Sequence, residues 1–115
     1  MITAICTLLY SEDLDRTRAF LRDVLGWPNV DAGGGWLIFK SGPSEMGVHP
    51  STSPHHEISL MCDDISTTIT ELTGRGVEFA GPVQDQDFGL TAMMKVPGAP
   101  DMMLYQPKHP KAFSL

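Results

Sequence analysis

Positive charge is scarce in this chain. Its 115 residues carry 8 Lys and Arg against 14 Asp and Glu, a formal net charge of −6. With no run of basic residues, nucleic acid and anionic membrane surfaces are excluded as expected partners. Long apolar runs are missing too. No stretch approaches the roughly 20 apolar residues that span a bilayer, and Met1-Ile2-Thr3 lacks the basic start and apolar core of a secretory signal. The expected location is cytoplasmic. Only two cysteines are present, too few for a disulfide framework and without metal-knuckle spacing, so both are expected reduced. The Gly33-Gly34-Gly35 run lacks the Lys and the strand-to-helix context of a phosphate loop and reads as a hairpin connection. No Ser-His-Asp spacing suggests nucleophilic catalysis.

What the chain does contain is a repeat. Cys6-Thr7-Leu8-Leu9-Tyr10 leads into Asp13-Leu14, an amphipathic stretch and Leu25-Gly26; Glu57-Ile58-Ser59-Leu60-Met61 leads into Asp64-Ile65, a second amphipathic stretch and Arg75-Gly76. Asp13 and Asp64 stand 51 positions apart, Gly26 and Gly76 50 apart. Self-similarity at such a period marks a tandem supersecondary unit. Hydrophobic content of 42% suffices for one modest core, while half a chain of this length is marginal alone. The expected organisation is therefore a single domain, 1–115, with module 1 at 1–50, a Ser/Thr/Pro linker at 51–55, module 2 at 56–107 and a tail at 108–115.

Residues 2–10 read as a strand. Asp13 is a plausible cap for a helix that places Leu14, Leu21, Val24 and Leu25, with Phe20, on one face, and Gly26 with Pro28 ends it. A weak strand near Asn29 to Asp31, a dense one at Trp36 to Phe39 and a short one from Met46 to His49 complete the first unit. In the second, Glu57 to Cys62 is a strand. Asp63 or Asp64 caps a helix carrying Ile65, Ile69 and Leu72, stopped by Gly74 and Gly76. Val77 to Phe79 is a strand, Gly81 to Asp87 a polar loop, and Leu90 to Val96 and Met102 to Gln106 flank a turn at residues 97–101.

The segment Leu9 to Trp27 resembles the first helix motif of the vicinal oxygen chelate superfamily, which includes glyoxalase I, bleomycin-resistance proteins and extradiol dioxygenases. Gly47-Val48-His49-Pro50, Glu57 through Asp64 and Val96-Pro97-Gly98 through Tyr105-Gln106-Pro107 resemble its other landmarks, in order and over nearly the whole chain. The resemblance implies an α+β fold of tandem βαβββ modules whose mixed sheet curls into a cup with the helices outside. It also implies a ligand in the cup and closure by homodimerisation.

Enzymes of that superfamily hold a divalent cation through side chains at four places, which fall here at Cys6, Gly47, Glu57 and Met103. Only Glu57 is an ordinary ligand. Gly47 has no side chain to offer, a Met thioether suits soft metals, and Cys6 reads as a small buried hydrophobe. His49 lies two residues beyond Gly47 and shares its strand face, so Cys6, His49 and Glu57 form the alternative three-ligand set. No cofactor is expected, a divalent metal being that alternative. His55 and His56 read as surface residues, and His109 as a tail residue without a chemical role.

Strand periodicity supplies the rest of the cup: Leu8 and Tyr10 with Cys6, Met61 with Glu57, Tyr105 with Met103, and Trp36 as wall or sheet packing. The candidate ligand-binding set is Cys6, Leu8, Tyr10, Trp36, His49, Glu57, Met61, Met103 and Tyr105, an apolar, aromatic and Met-bearing wall suited to a small molecule. Cys62, of opposite parity to Glu57, is expected under the helices. The expected function is metal-free binding of a small apolar or aromatic molecule. The alternatives are a metal-dependent lyase or dioxygenase acting on vicinal oxygens, and an accessory protein with a vestigial cup.

Overall fold

The computed structural model describes residues 6–48, 50–53 and 55–115. The first repeat begins with helix α1, Leu14–Ala19, whose N-terminus is capped where Asp13 Oδ1 accepts the Arg16 N–H at 3.3 Å. The helix widens into a π-helical turn at Phe20–Val24, and Gly26, at φ 71°, supplies the left-handed stop. Strands β1, Asn29–Asp31, and β2, Leu37–Phe39, pair antiparallel, with Asn29 opposite Phe39 and Asp31 opposite Leu37. Their turn is an Asx arrangement: Asp31 Oδ1 accepts the N–H of Gly33 at 2.7 Å and of Gly35 at 3.2 Å.

The second repeat forms its whole unit. Strand β3, Ser59–Met61, is followed by helix α2, Ile65–Gly74, and by strands β4, Phe79–Gln86, β5, Gly89–Met94, and β6, Met102–Pro107. Asp64 Oδ1 accepts the Thr67 N–H at 3.0 Å, and Gly76 follows the helix at φ 89°. The sheet order is β3-β6-β5-β4, with β3 and β6 parallel and the remaining pairs antiparallel. The fold is α+β, with mixed sheets that curl without closing into a barrel. Among the described residues no helix is long and apolar enough to cross a membrane.

Three expectations need correction. The strand expected at 2–10 is absent over its described part, 6–10, and the one expected from Met46 is absent at 46–48; His49 lies outside the described residues. The first sheet therefore has two strands and the second four. Met46-Gly47-Val48 is short, interrupted by a glycine and bounded by Pro43 and Pro50, which weakens it as a strand. The supposed loop at Gly81 to Asp87 is mostly strand, since β4 continues through it with a register shift between Ala80 and Gln84. As an edge strand, β4 keeps polar side chains in water and takes Pro82 within the irregularity. The tail after Pro107 includes a 3-10 turn at Ala112–Ser114 and folds back onto the molecule.

One core joins the repeats. Phe20 and Leu21 pack with Ile65, Leu72 and Val77, and with Ala92, Met94 and Val96 from β5 and its end and Met102 and Leu104 from β6. Each of these side chains other than Ala92 contributes roughly 1.5–3 kcal/mol when fully buried. Polar contacts set the join. The Thr17 hydroxyl donates to Pro97 O at 2.5 Å, the Glu12 N–H to Gly98 O at 2.7 Å, and the Arg75 guanidinium to Val24 O at 2.8 Å.

Candidate functional site

Alternation along the second sheet decides which side chains leave the core. Met102 and Leu104 point to the helices, so Met103 and Tyr105 point to the opposite face, half-buried. Ser59 stands opposite Met103 and Met61 opposite Tyr105, and directly paired residues share a face. That face and the segments at Cys6 to Ser11 and Pro43 to Gly47 line a trough of about 2130 Å³. It is larger than the roughly 300–1,000 Å³ of a typical small-molecule pocket. The first-repeat wall is uncovered: Leu8 is 64% and Tyr10 82% exposed.

Of the sequence-derived candidates, Met61, Met103 and Tyr105 come together across the β3–β6 register. Cys6, Leu8, Tyr10, Trp36 and Glu57 also line the trough, while His49 lies outside the described residues. Cys6 is exposed, not the small buried hydrophobe expected, because the segment carrying it joins no sheet. Trp36 is exposed on the trough wall, with the Arg18 guanidinium 5.3 Å from its ring centroid. The Glu57 side chain is 74% exposed and meets His55 Nε2 at 3.3 Å. Hydrogen bonding of His55 to the Ser53 carbonyl and then to Glu57 raises the imidazole pKa. Among the described residues no group of three His, Cys, Asp or Glu side chains is placed to hold a metal ion. Cys62 packs against the core as expected, and desolvation pushes its thiol pKa up.

The folded-back tail brings in residues that the sequence patterns missed. Lys108 pairs with Asp85, Lys111 Nζ lies 3.7 Å from Asp63, and the Ala112 N–H donates to Glu45 Oε2 at 2.7 Å. His109 Nε2 then lies 3.3 Å from Tyr105 Oη and 3.8 Å from Glu45 Oε1. The Phe88 ring meets Tyr105 edge-on, with centroids 5.9 Å apart at 67°. Desolvation, and after it the charge of Glu45, raises the pKa of the Tyr105 phenol, which stays a hydroxyl donor. His109 follows Tyr105 by four positions, past the end of the strand, and Glu45 sits in an irregular segment, so neither falls in a strand or helix period.

No family model and no curated protein sequence matches the chain. Solved structures do. TnmS3, an antibiotic binding protein from Streptomyces sp. CB03234, is 21% identical and superposes with a TM-score of 0.66, covering 94% of this chain and 99% of that one. A lactoylglutathione lyase from Agrobacterium tumefaciens is 20% identical at a TM-score of 0.62, covering 91% and 94%. A glyoxalase/bleomycin resistance protein/dioxygenase from Nocardioides is 18% identical at 0.67, covering 97% and 89%. The chain thus has the fold of the glyoxalase/bleomycin resistance/dioxygenase superfamily, the vicinal oxygen chelate fold that its duplicated motifs resemble.

Proposed function

We propose that the protein binds a small apolar or aromatic molecule in its trough without a metal, in the cytoplasm, and that a second copy of the chain covers the open side. The observation that carries this is the half-buried Met61, Met103 and Tyr105 face, apolar and aromatic, lining one trough with the exposed Leu8 and Tyr10. Flexible thioethers beside rigid rings suit varied apolar ligands. The donor chemistry agrees: Gly47 offers no side chain, Met103 a soft thioether, and the Glu57 carboxylate is engaged by His55. A solved structure of similar fold is an antibiotic binding protein. Uncovered apolar side chains, including Val48 and Met46, favour the second copy.

Metal analysis and thermal melts test the central point. Purified protein should hold far less than one equivalent of zinc, nickel, iron or manganese, and neither chelator nor added cation should shift its melting temperature. Stoichiometric metal that is lost on His49→Ala or Cys6→Ala would establish the lyase or dioxygenase alternative instead. Light scattering should give a dimer at micromolar concentration.

A further inference from the structure

We propose that Tyr105, His109 and Glu45 form the polar anchor of the trough, and that the anchor selects a hydroxylated aromatic molecule, a phenol or naphthol, over its unsubstituted and carboxylated counterparts. This rests on the reading of the trough as an aromatic-binding site and adds the chemical class that the site prefers.

Three separate segments supply the three groups: Tyr105 from β6, His109 from the folded-back tail and Glu45 from the irregular segment after Pro43. The histidine is oriented. Its Nδ1 lies 2.8 Å from Pro110 O, an acceptor only, so Nδ1 carries the proton and donates. In the neutral imidazole, Nε2 is then the acceptor, and its partner at 3.3 Å is Tyr105 Oη. Tyr105 therefore donates its O–H to His109 and leaves its oxygen lone pairs free for a donor from the trough. A ligand hydroxyl completes a chain from ligand O–H to Tyr105 Oη and from Tyr105 O–H to Nε2, in which each bond polarises the next. The Phe88 ring, edge-on to Tyr105, gives the adjoining aromatic surface.

Glu45 sets the sign of what is accepted. Its side chain is only 16% exposed; Oε2 accepts the Ala112 N–H at 2.7 Å, and Oε1 lies 3.8 Å from His109 Nε2. The carboxylate latches the tail that carries His109 and places negative charge beside the hydroxyl. A ligand carboxylate would meet that charge at short range and be disfavoured.

The test compares naphthalene, 2-naphthol and 2-naphthoate by equilibrium dialysis at about pH 8, where a phenolic hydroxyl keeps its proton and a carboxylate is ionised. The intact protein should bind 2-naphthol about tenfold more tightly than naphthalene, the size of one well-made hydrogen bond, and 2-naphthoate more weakly than naphthalene. Tyr105→Phe, which keeps the ring, and His109→Ala should each abolish the naphthol preference, read as the ratio of the naphthol and naphthalene affinities of the same variant. Glu45→Gln should relieve the rejection of 2-naphthoate. Thermal melts establish that each variant is folded; should His109→Ala unfold, Tyr105→Phe decides alone. Equal affinity for naphthol and naphthalene in the intact protein, or a preference that survives Tyr105→Phe, overturns the anchor and leaves the trough reading standing. Absence of saturable binding for all three compounds overturns both.

Discussion

The two repeats start from matching sequence and finish with different structures. Both have an Asp-capped helix and a left-handed glycine beyond it, at Asp13 and Gly26 and again at Asp64 and Gly76. The second repeat adds a four-stranded sheet with a packed face, whereas the first adds a two-stranded hairpin. Its apolar residues differ in fate accordingly: Met94, Met102 and Leu104 are buried, while Leu8, Val30, Trp36 and Met46 are exposed. A repeated motif therefore specifies a local unit without guaranteeing that each copy forms a core of its own. The first repeat contributes Phe20 and Leu21 to the core of the second, with Leu9, Trp27 and Phe39 packed against it, and leaves Leu8, Trp36 and Met46 on the trough wall.

Core truncation tests that contrast with the largest effect. Met94, 0% exposed, should cost about 2–5 kcal/mol when replaced by Ala, whereas Ile38→Ala in the hairpin, 46% exposed, should cost less than about 1 kcal/mol. Urea unfolding measures both. Equal costs would mean that the hairpin face is covered in solution, as a second copy would cover it.

The join between repeats comes next. Gly98 has a φ of 76°, and a Cβ there would stand 2.8 Å from Ser11 Oγ and 3.0 Å from the Asp13 nitrogen. Gly98→Ala should therefore destabilise the fold by about 1–3 kcal/mol, combining left-handed strain with displacement of the helix cap. A neutral thermal melt would show that α1 is not seated on this turn.

Arg18→Ala should lower stability by about 0.5–1 kcal/mol through loss of the contact with the Trp36 face. It should also shift the emission of the exposed Trp36, and removal of Trp36 should abolish that change. If the emission does not move, this contact in the first repeat is not populated in solution.

The smallest effect lies on the alkaline side. Desolvation chiefly raises the pKa of Tyr105 above 10.0 and of Cys62 above 9.0, so the folded state holds these protons more tightly than the unfolded chain. Their stabilising contribution is complete below the unfolded values and is lost as pH rises through the folded ones. Melting temperature should fall from about pH 9 upward, and less steeply in Tyr105→Phe. An unchanged slope would assign the alkaline loss to groups other than Tyr105.

The parts of this molecule that are legible in its sequence are those specified by nearest neighbours. The two helix caps, the glycine stops and the hairpin at Gly33 to Gly35 each need only a side chain and the backbone a few residues away. The separation of Met102 and Leu104 from Met103 and Tyr105 needs only the twofold period of a strand. Other features depend on partners far along the chain. The polar stretch Gln84 to Gln86 becomes strand because β5 offers it a paired edge, which no local pattern announces. The segments around Leu8 and Met46, apolar enough to suggest strands, join none among the described residues. Glu45 and Ala112 are 67 positions apart, yet their contact brings His109 to Tyr105. Local geometry follows from residue type and spacing, and so the sequence determined the repeated unit and the two faces of its last strand. Which repeat completes a sheet, and which side chains share the trough, depended on loop closure and competition for burial across the whole chain, and only the tertiary structure decided them.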